Sequence, residues 1–249
     1  MNRIERLGQI GDRKRGSYEA YARREAYKVL ISQFNPEQAI EGEANVNEQR
    51  YRNLISDVWR RTGEGFGAWY FKKYQKILRK DDRSDLEIFF ESLTASYLAN
   101  ILTRKILQSQ RTSRNIMSRL VAQYQGEGLN NDEILRKLES DWEMWSRVRA
   151  NAIAQTEVVG ASNFGIQEGS RFAIQRSSQS QLSNQLNKYW VDRDDGRVRI
   201  AHRHVSPVQI VDKFNVGGEL LAFPGDPEGK PGNIINCRCI MVPFVQDLA

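Results

Sequence analysis

Four side chains in this sequence could hold a soft metal ion or act as nucleophile and base, and all four fall within one stretch. His202 and His204 are its two histidines, and Cys237 and Cys239 are its two cysteines. In an extended strand, positions i and i+2 face the same side. Cys237 would then project with Cys239, and His202 with His204 if that piece is extended too. Two such pairs on facing segments make a Cys₂His₂ set, the right number of ligands for structural zinc. The Cys-x-Cys spacing is not the usual zinc knuckle. A reduced, buried cysteine pair packed against His202 is the other reading, so zinc stays open and no cofactor is assigned. A catalytic arrangement can also be drawn, with Asp192, Asp194, Asp195 and His202 as a nuclease metal cluster or His202 and Cys237 as base and nucleophile. Acids just before Gly196 are more simply turn residues. No local signature of a known nucleophile motif accompanies them, and no enzymatic role is expected.

The elements that must carry these residues are short and β-like. KYWV (188–191) and RVRIA (197–201) read as two strands turned by Asp194-Asp195-Gly196. A further strand is predicted at Phe172–Gln175, followed by a polar loop to residue 187. A long surface connection follows Pro224, and a last strand covers Ile234–Val242. Before these comes a helix through Arg149–Phe164 in which Glu157 stands alone among small apolar residues. A carboxylate in that setting is at least partly buried and needs a partner.

The order of these parts resembles the C-terminal domain of the phage Mu F-like head-morphogenesis family, the minor capsid proteins of tailed bacteriophages. The resemblance rests on the aromatic strand with Trp190, Arg-Val-Arg-x-x-His ending at His202, Pro-Gly-Asp-Pro, and Asn236-Cys237-Arg238-Cys239. It reaches back to Ala154-Gln155-Thr156-Glu157, where the family usually has Ala-Arg-Thr-Glu. It implies Arg199 or Arg238 as the partner of Glu157, and His202, Cys237 and Cys239 as the better zinc candidates, since His204 matches no regular family position. It also implies a small number of copies bound at the portal inside the procapsid. The partners would be the portal, scaffold and major capsid proteins, with double-stranded DNA as a further contact in packaging or ejection. The place would be the virion interior, after assembly in the host cytoplasm. Some relatives carry an additional toxin-like domain after this module, and none is expected in the few residues that follow Cys239.

Bulk properties agree with an assembly protein and admit one rival. The formal net charge is +6. All of it belongs to residues 1–150, because Lys/Arg and Asp/Glu balance beyond them. No apolar run approaches the roughly eighteen residues of a membrane span, and the charged N-terminus reads as no secretory leader. From Ser92 to Gly126 there is no acid, while Arg104, Lys105, Arg111, Arg114 and Arg119 recur, with Arg104, Arg111 and Arg114 on one helical face. Such a face can meet phosphates or a portal, or can simply be solvated. The rival is an autonomous nucleic-acid-binding protein or metal-dependent nuclease with a zinc-stabilised C-terminal module, disfavoured by the neutral charge balance of that module.

The N-terminal half is predicted helical. A first helix ends before Pro36, and residues 36–47 read as a connection. Gly63-x-Gly65-x-Gly67 predicts a helix break or a close helix approach, with phosphate binding disfavoured because no strand precedes it. A long helix crosses the basic stretch, with Ser84 and Glu87 as its capping box. Gly126-Glu127-Gly128 ends it, and Asn130 with Glu133 caps the next. The fold class expected is α+β: an elongated, basic helical region (1–127), then a small C-terminal α+β domain (128–249) with an antiparallel sheet.

Overall fold

The computed structural model describes residues 3–74, 83–176 and 186–245, and its class is α+β. The helices are α1 (Arg3–Ile31), α2 (Pro36–Ile40), α3 (Glu48–Tyr74), α4 (Arg83–Gly126), α5 (Asn131–Arg176) and α6 (Pro231–Ile234). The strands are β1 (Leu186–Val191), β2 (Val208–Gln209), β3 (Phe214–Val216), β4 (Glu219–Leu221) and β5 (Ile240–Val245). A three-stranded antiparallel sheet has the order β2-β1-β5, and β3-β4 form a separate hairpin. No helix among the described residues is long and apolar enough to cross a membrane. α4 begins at Arg83, one residue before the predicted cap Ser84, whose side chain lies outside what the structure describes, as does the polar loop of 177–185.

Residues pack as two compact units that are interleaved along the chain, whereas the sequence suggests a single cut near residue 127. One comprises Ala20–Asp57 and Ser96–Ala154; the other comprises Met1–Glu19, Val58–Ala95 and Gln155–Ala249. In the first unit, Met117, Leu120, Tyr124, Ile134, Leu138 and Trp142 form an apolar core with Ala39 and Ala44. Trp142 also donates its indole N–H to the carbonyl of Leu30 at 3.1 Å. The cap predicted at Asn130 is present in both directions. Asn130 Oδ1 accepts from the amide of Glu133 at 3.0 Å, and Glu133 Oε2 accepts from the amide of Asn130 at 2.9 Å. Pro36 does end the first helical run, but it also opens α2, capped by Asn35 Oδ1; the expected connection therefore begins as a helical turn.

In the second unit the glycines resolve in favour of close approach. α3 runs unbroken through Gly63, Gly65 and Gly67. A Cβ at Gly165 of α5 would lie 2.2 Å from the Gly63 carbonyl, and one at Gly169 would lie 3.0 Å from that of Gly67. Two glycines spaced by four on each helix thus let parallel backbones touch along a seam that no side chain could enter. α5 continues through the stretch read as a strand at Phe172–Gln175. Phe172 and Ala173 pack with Phe90, and Phe89 meets Phe172 at 5.0 Å, so tertiary burial outweighs the local β preference.

The sheet departs from the expected hairpin. β1 pairs with β5 (Leu186↔Val245 through Val191↔Ile240) and with β2, while Ile200–His202 is a 3₁₀ turn. The turn signal itself is real. Asp192 Oδ1 accepts from the amide of Asp194 and Asp195 Oδ1 from that of Arg197. The chain leaving it carries Ile200, 88% exposed, so that segment has no apolar face to bury. β5, with Ile240, Met241 and Val242 buried, does have one. The last strand begins at Ile240, after α6, and the expected surface connection is buried from Phe223 to Pro227.

Candidate functional site

Three of the four soft side chains singled out for their chemistry meet in one place, although no strand aligns the cysteines. His202 ends the 3₁₀ turn and is 2% exposed. Its Nδ1 lies 3.7 Å from Cys237 Sγ and 3.6 Å from Cys239 Sγ. All three donor atoms lie within 4.8 Å of one another, and both thiols are free and buried. Trp190 on β1 sets its ring at 84° to the His202 imidazole, 5.2 Å between centroids. His204 is exposed, with φ 55°, and takes no part in the group.

The Cys-Arg-Cys backbone is held from the helices beneath it. Arg15 of α1 is 1% exposed and spends its guanidinium on four acceptors. Nε donates to Ser162 Oγ at 2.8 Å and Nη1 to the carbonyl of Arg238 at 3.2 Å. Nη2 reaches Asn163 Oδ1 and the Cys239 carbonyl, both at 3.1 Å. Asn163 of α5 extends the network. Its amide donates to the carbonyls of Pro224 and Cys239, and its oxygen accepts the amide of Met241 at 2.8 Å. Thr156 Oγ1 accepts the amide of Asn236, a residue in the left-handed region at φ 55°. A helix that ended before residue 163 could not supply these contacts; α5 runs past the site, and this is how its polar residues come to be buried.

Arg238 turns outward and closes the acidic turn in a two-pronged pair with Asp195, both contacts at 2.6 Å. Arg238 and the Arg197 amide hold the Asp195 carboxyl down at about 2. Arg199 donates to the carbonyl of Ile235. Neither arginine therefore serves Glu157, contrary to what the family resemblance implied. Glu157 is buried at 6% exposure and accepts the indole N–H of Trp59 at 2.7 Å. This aromatic donor arrives from α3, the helix packed alongside.

Electrostatics within the cluster follow from the same contacts. Cys237 is lowered well below an ordinary thiol by the hydrogen bond with Cys239 and then by His202, against its own burial. Cys239 is pushed up, first by that same hydrogen bond and then by burial. The two sulfurs thus act as a pair that shares one proton more readily than it gives up both. Burial lowers the Arg15 guanidinium too, which has neutral acceptors around it and the two sulfurs as its nearby negative partners together with Asp12 and Glu19.

Two further buried residues belong here that sequence reading passed over. Lys188, fully buried on β1, donates to Gln167 Oε1 at 3.2 Å and to the Ala222 carbonyl at 2.7 Å, over the Phe214 ring. Burial pulls it down to about 8. The β1 alternation, with Leu186, Lys188 and Trp190 on the buried face, carries its signal. Arg15 was legible as well, because Gly8, Gly11, Arg15, Ala22, Ala26 and Leu30 share the buried face of α1 at helical spacing.

The basic stretch on α4 is mixed. Arg104 and Arg111 are exposed, and Lys105 is half-buried. Arg114 pairs with Glu43 at 2.9 Å, and Arg119 lies over the Trp145 ring at 5.4 Å. Arg114 and Arg119 are thus engaged within the protein.

A family model described as "Phage Mu protein F like protein" matches residues 115–242, just over half of the chain. The chain belongs to the phage Mu protein F-like family. The match spans every cluster residue except Arg15, and this Mu F-like segment supports a phage head-related protein. Searches of curated proteins and of solved structures found no match.

Proposed function

We propose that this Mu F-like chain is a minor head protein of a tailed bacteriophage, acting in head morphogenesis as a structural component bound at the portal inside the procapsid. The observation that carries this reading is the family match across residues 115–242. The chemistry of the site agrees with a structural part. Asp195, Arg238, Arg15, Asn163 and Thr156 are each engaged in fixing the Cys-Arg-Cys turn. Portal, scaffold and major capsid protein are the partners proposed, and the exposed Arg104 and Arg111 of α4 are the cations offered to them or to DNA. In the acidic turn, Asp192 and Asp195 are occupied by Asx bonds and the Arg238 pair, which favours a turn over a nuclease centre.

Co-expression with the cognate portal protein, followed by purification on a tagged portal, tests the proposal. The chain should elute with the portal ring, and procapsids made without it should form abnormally or lack infectivity. Normal, infectious heads in its absence would defeat the reading. Arg104→Glu with Arg111→Glu should weaken DNA retention, with binding that falls as salt rises.

A further inference from the structure

We infer that His202, Cys237 and Cys239 form a zinc site that joins the 3₁₀ turn at 200–202 to the turn preceding β5. Geometry gives the first reason. With Zn–S of about 2.3 Å and Zn–N of about 2.0–2.1 Å at tetrahedral angles, sulfur and nitrogen on one ion stand about 3.6 Å apart. The two sulfur-to-Nδ1 distances are 3.7 and 3.6 Å. A single Nδ1 lone pair faces two sulfurs and can accept from only one, which leaves the other thiol to the neighbouring sulfur. An ion on that lone pair satisfies all three atoms at once.

The donor set and its setting give the second reason. Two thiolates and an imidazole favour zinc over the hard divalent cations. Two thiolates neutralise the ion, so the site carries no net charge where it is buried, beside the Arg15 guanidinium. Both thiol protons leave to solvent on binding. Among the described residues no fourth His, Cys, Asp or Glu joins the group, so the remaining position falls to water. A disulfide is the poorer use of these cysteines, because a bridge between residues one apart strains the backbone. The site would also supply what the local structure lacks: neither ligand-bearing segment belongs to a strand or a long helix, and a common ion ties them.

Full-length protein, produced with zinc in the medium and desalted, tests the inference by elemental analysis and by cobalt(II) exchange. About one zinc per chain is expected, with a sulfur-to-cobalt charge-transfer band after exchange. Cys239→Ser and His202→Asn should lose the metal, and His204→Asn should keep it. Absence of retained zinc together with absence of the band would overturn the site. So would zinc that persists undiminished in both ligand variants. Should those variants fail to fold, alkylation of the native wild-type protein decides. Thiols protected until a chelator is added support the site; thiols equally reactive, or equally inert, with and without chelator refute it.

Discussion

The unit formed by Ala20–Asp57 and Ser96–Ala154 and the segment from β1 to β5 are stabilised by different means. In the former, long helices bury apolar stripes, and the buried polar contacts among the described residues are few: Ser113 donates to Gln33, Arg149 reaches Ser113 and Ser109, and Trp142 reaches the Leu30 carbonyl. In the latter, strands are two to six residues long, and the interior holds Lys188, His202, Asp226 and two thiols. Short elements leave many backbone groups without a ladder partner, and buried side chains from α1 and α5 supply what is missing. Apolar packing tolerates repacking, whereas a buried polar network that loses one member leaves several groups unpaired. Single substitutions should therefore cost more around the Cys-Arg-Cys turn than at helix ends.

The sharpest test is Arg15→Met, which keeps the length and removes the guanidinium. It strands Ser162, Asn163 and two carbonyls, and the loss expected is about 3–5 kcal/mol, read from the urea midpoint at unchanged slope. A cost below about 1 kcal/mol would erase the contrast. Gly165→Ala comes next, at about 2–3 kcal/mol, because the new methyl meets the Gly63 carbonyl at 2.2 Å and backbone cannot yield as a side chain does. Lys188 gives a pH signature. Its folded value of about 8 lies below the ordinary 10.5, so between those values the unfolded chain holds more proton and stability rises with pH. The gain should be about 2–3 kcal/mol across that window, and Lys188→Met should flatten it; equal slopes in the two proteins would reject the lowered value of Lys188 in the folded interior. Asn130→Ala, at a solvent-exposed cap, should cost about 1 kcal/mol, measured by thermal unfolding. A larger loss there than at Arg15 would invert the comparison.

Legibility in the sequence follows the same divide. The Asn130–Glu133 cap and the stop at Pro36 depend on residues a few positions apart, so local chemistry suffices to find them. The acidic turn was also legible, but its partner was not. Asp195 closes onto Arg238, forty-three residues on, and β1 pairs with β5, because only burial in three dimensions ranks one strand partner over another. The convergence of His202, Cys237 and Cys239 could be anticipated from their placement in the chain, although a turn and not a strand brings the cysteines together. Glu157 reads as buried from its small apolar neighbours, while Trp59 as its partner depends on how α3 lies against α5. The three glycines of α3 look like a break until a second helix with the same spacing is seen beside them.

The bond from Arg15 to the Cys239 carbonyl spans 224 positions of sequence. During synthesis, α1 emerges early; Ser162 and Asn163 lie 147 and 148 positions on, and the Arg238 and Cys239 carbonyls lie 223 and 224 positions on. The Cys239 contact can form only once the C-terminal residues have been made. Loops of this size close slowly, and a ribosome stalled between the two would display a helix whose inner face is still open to other proteins.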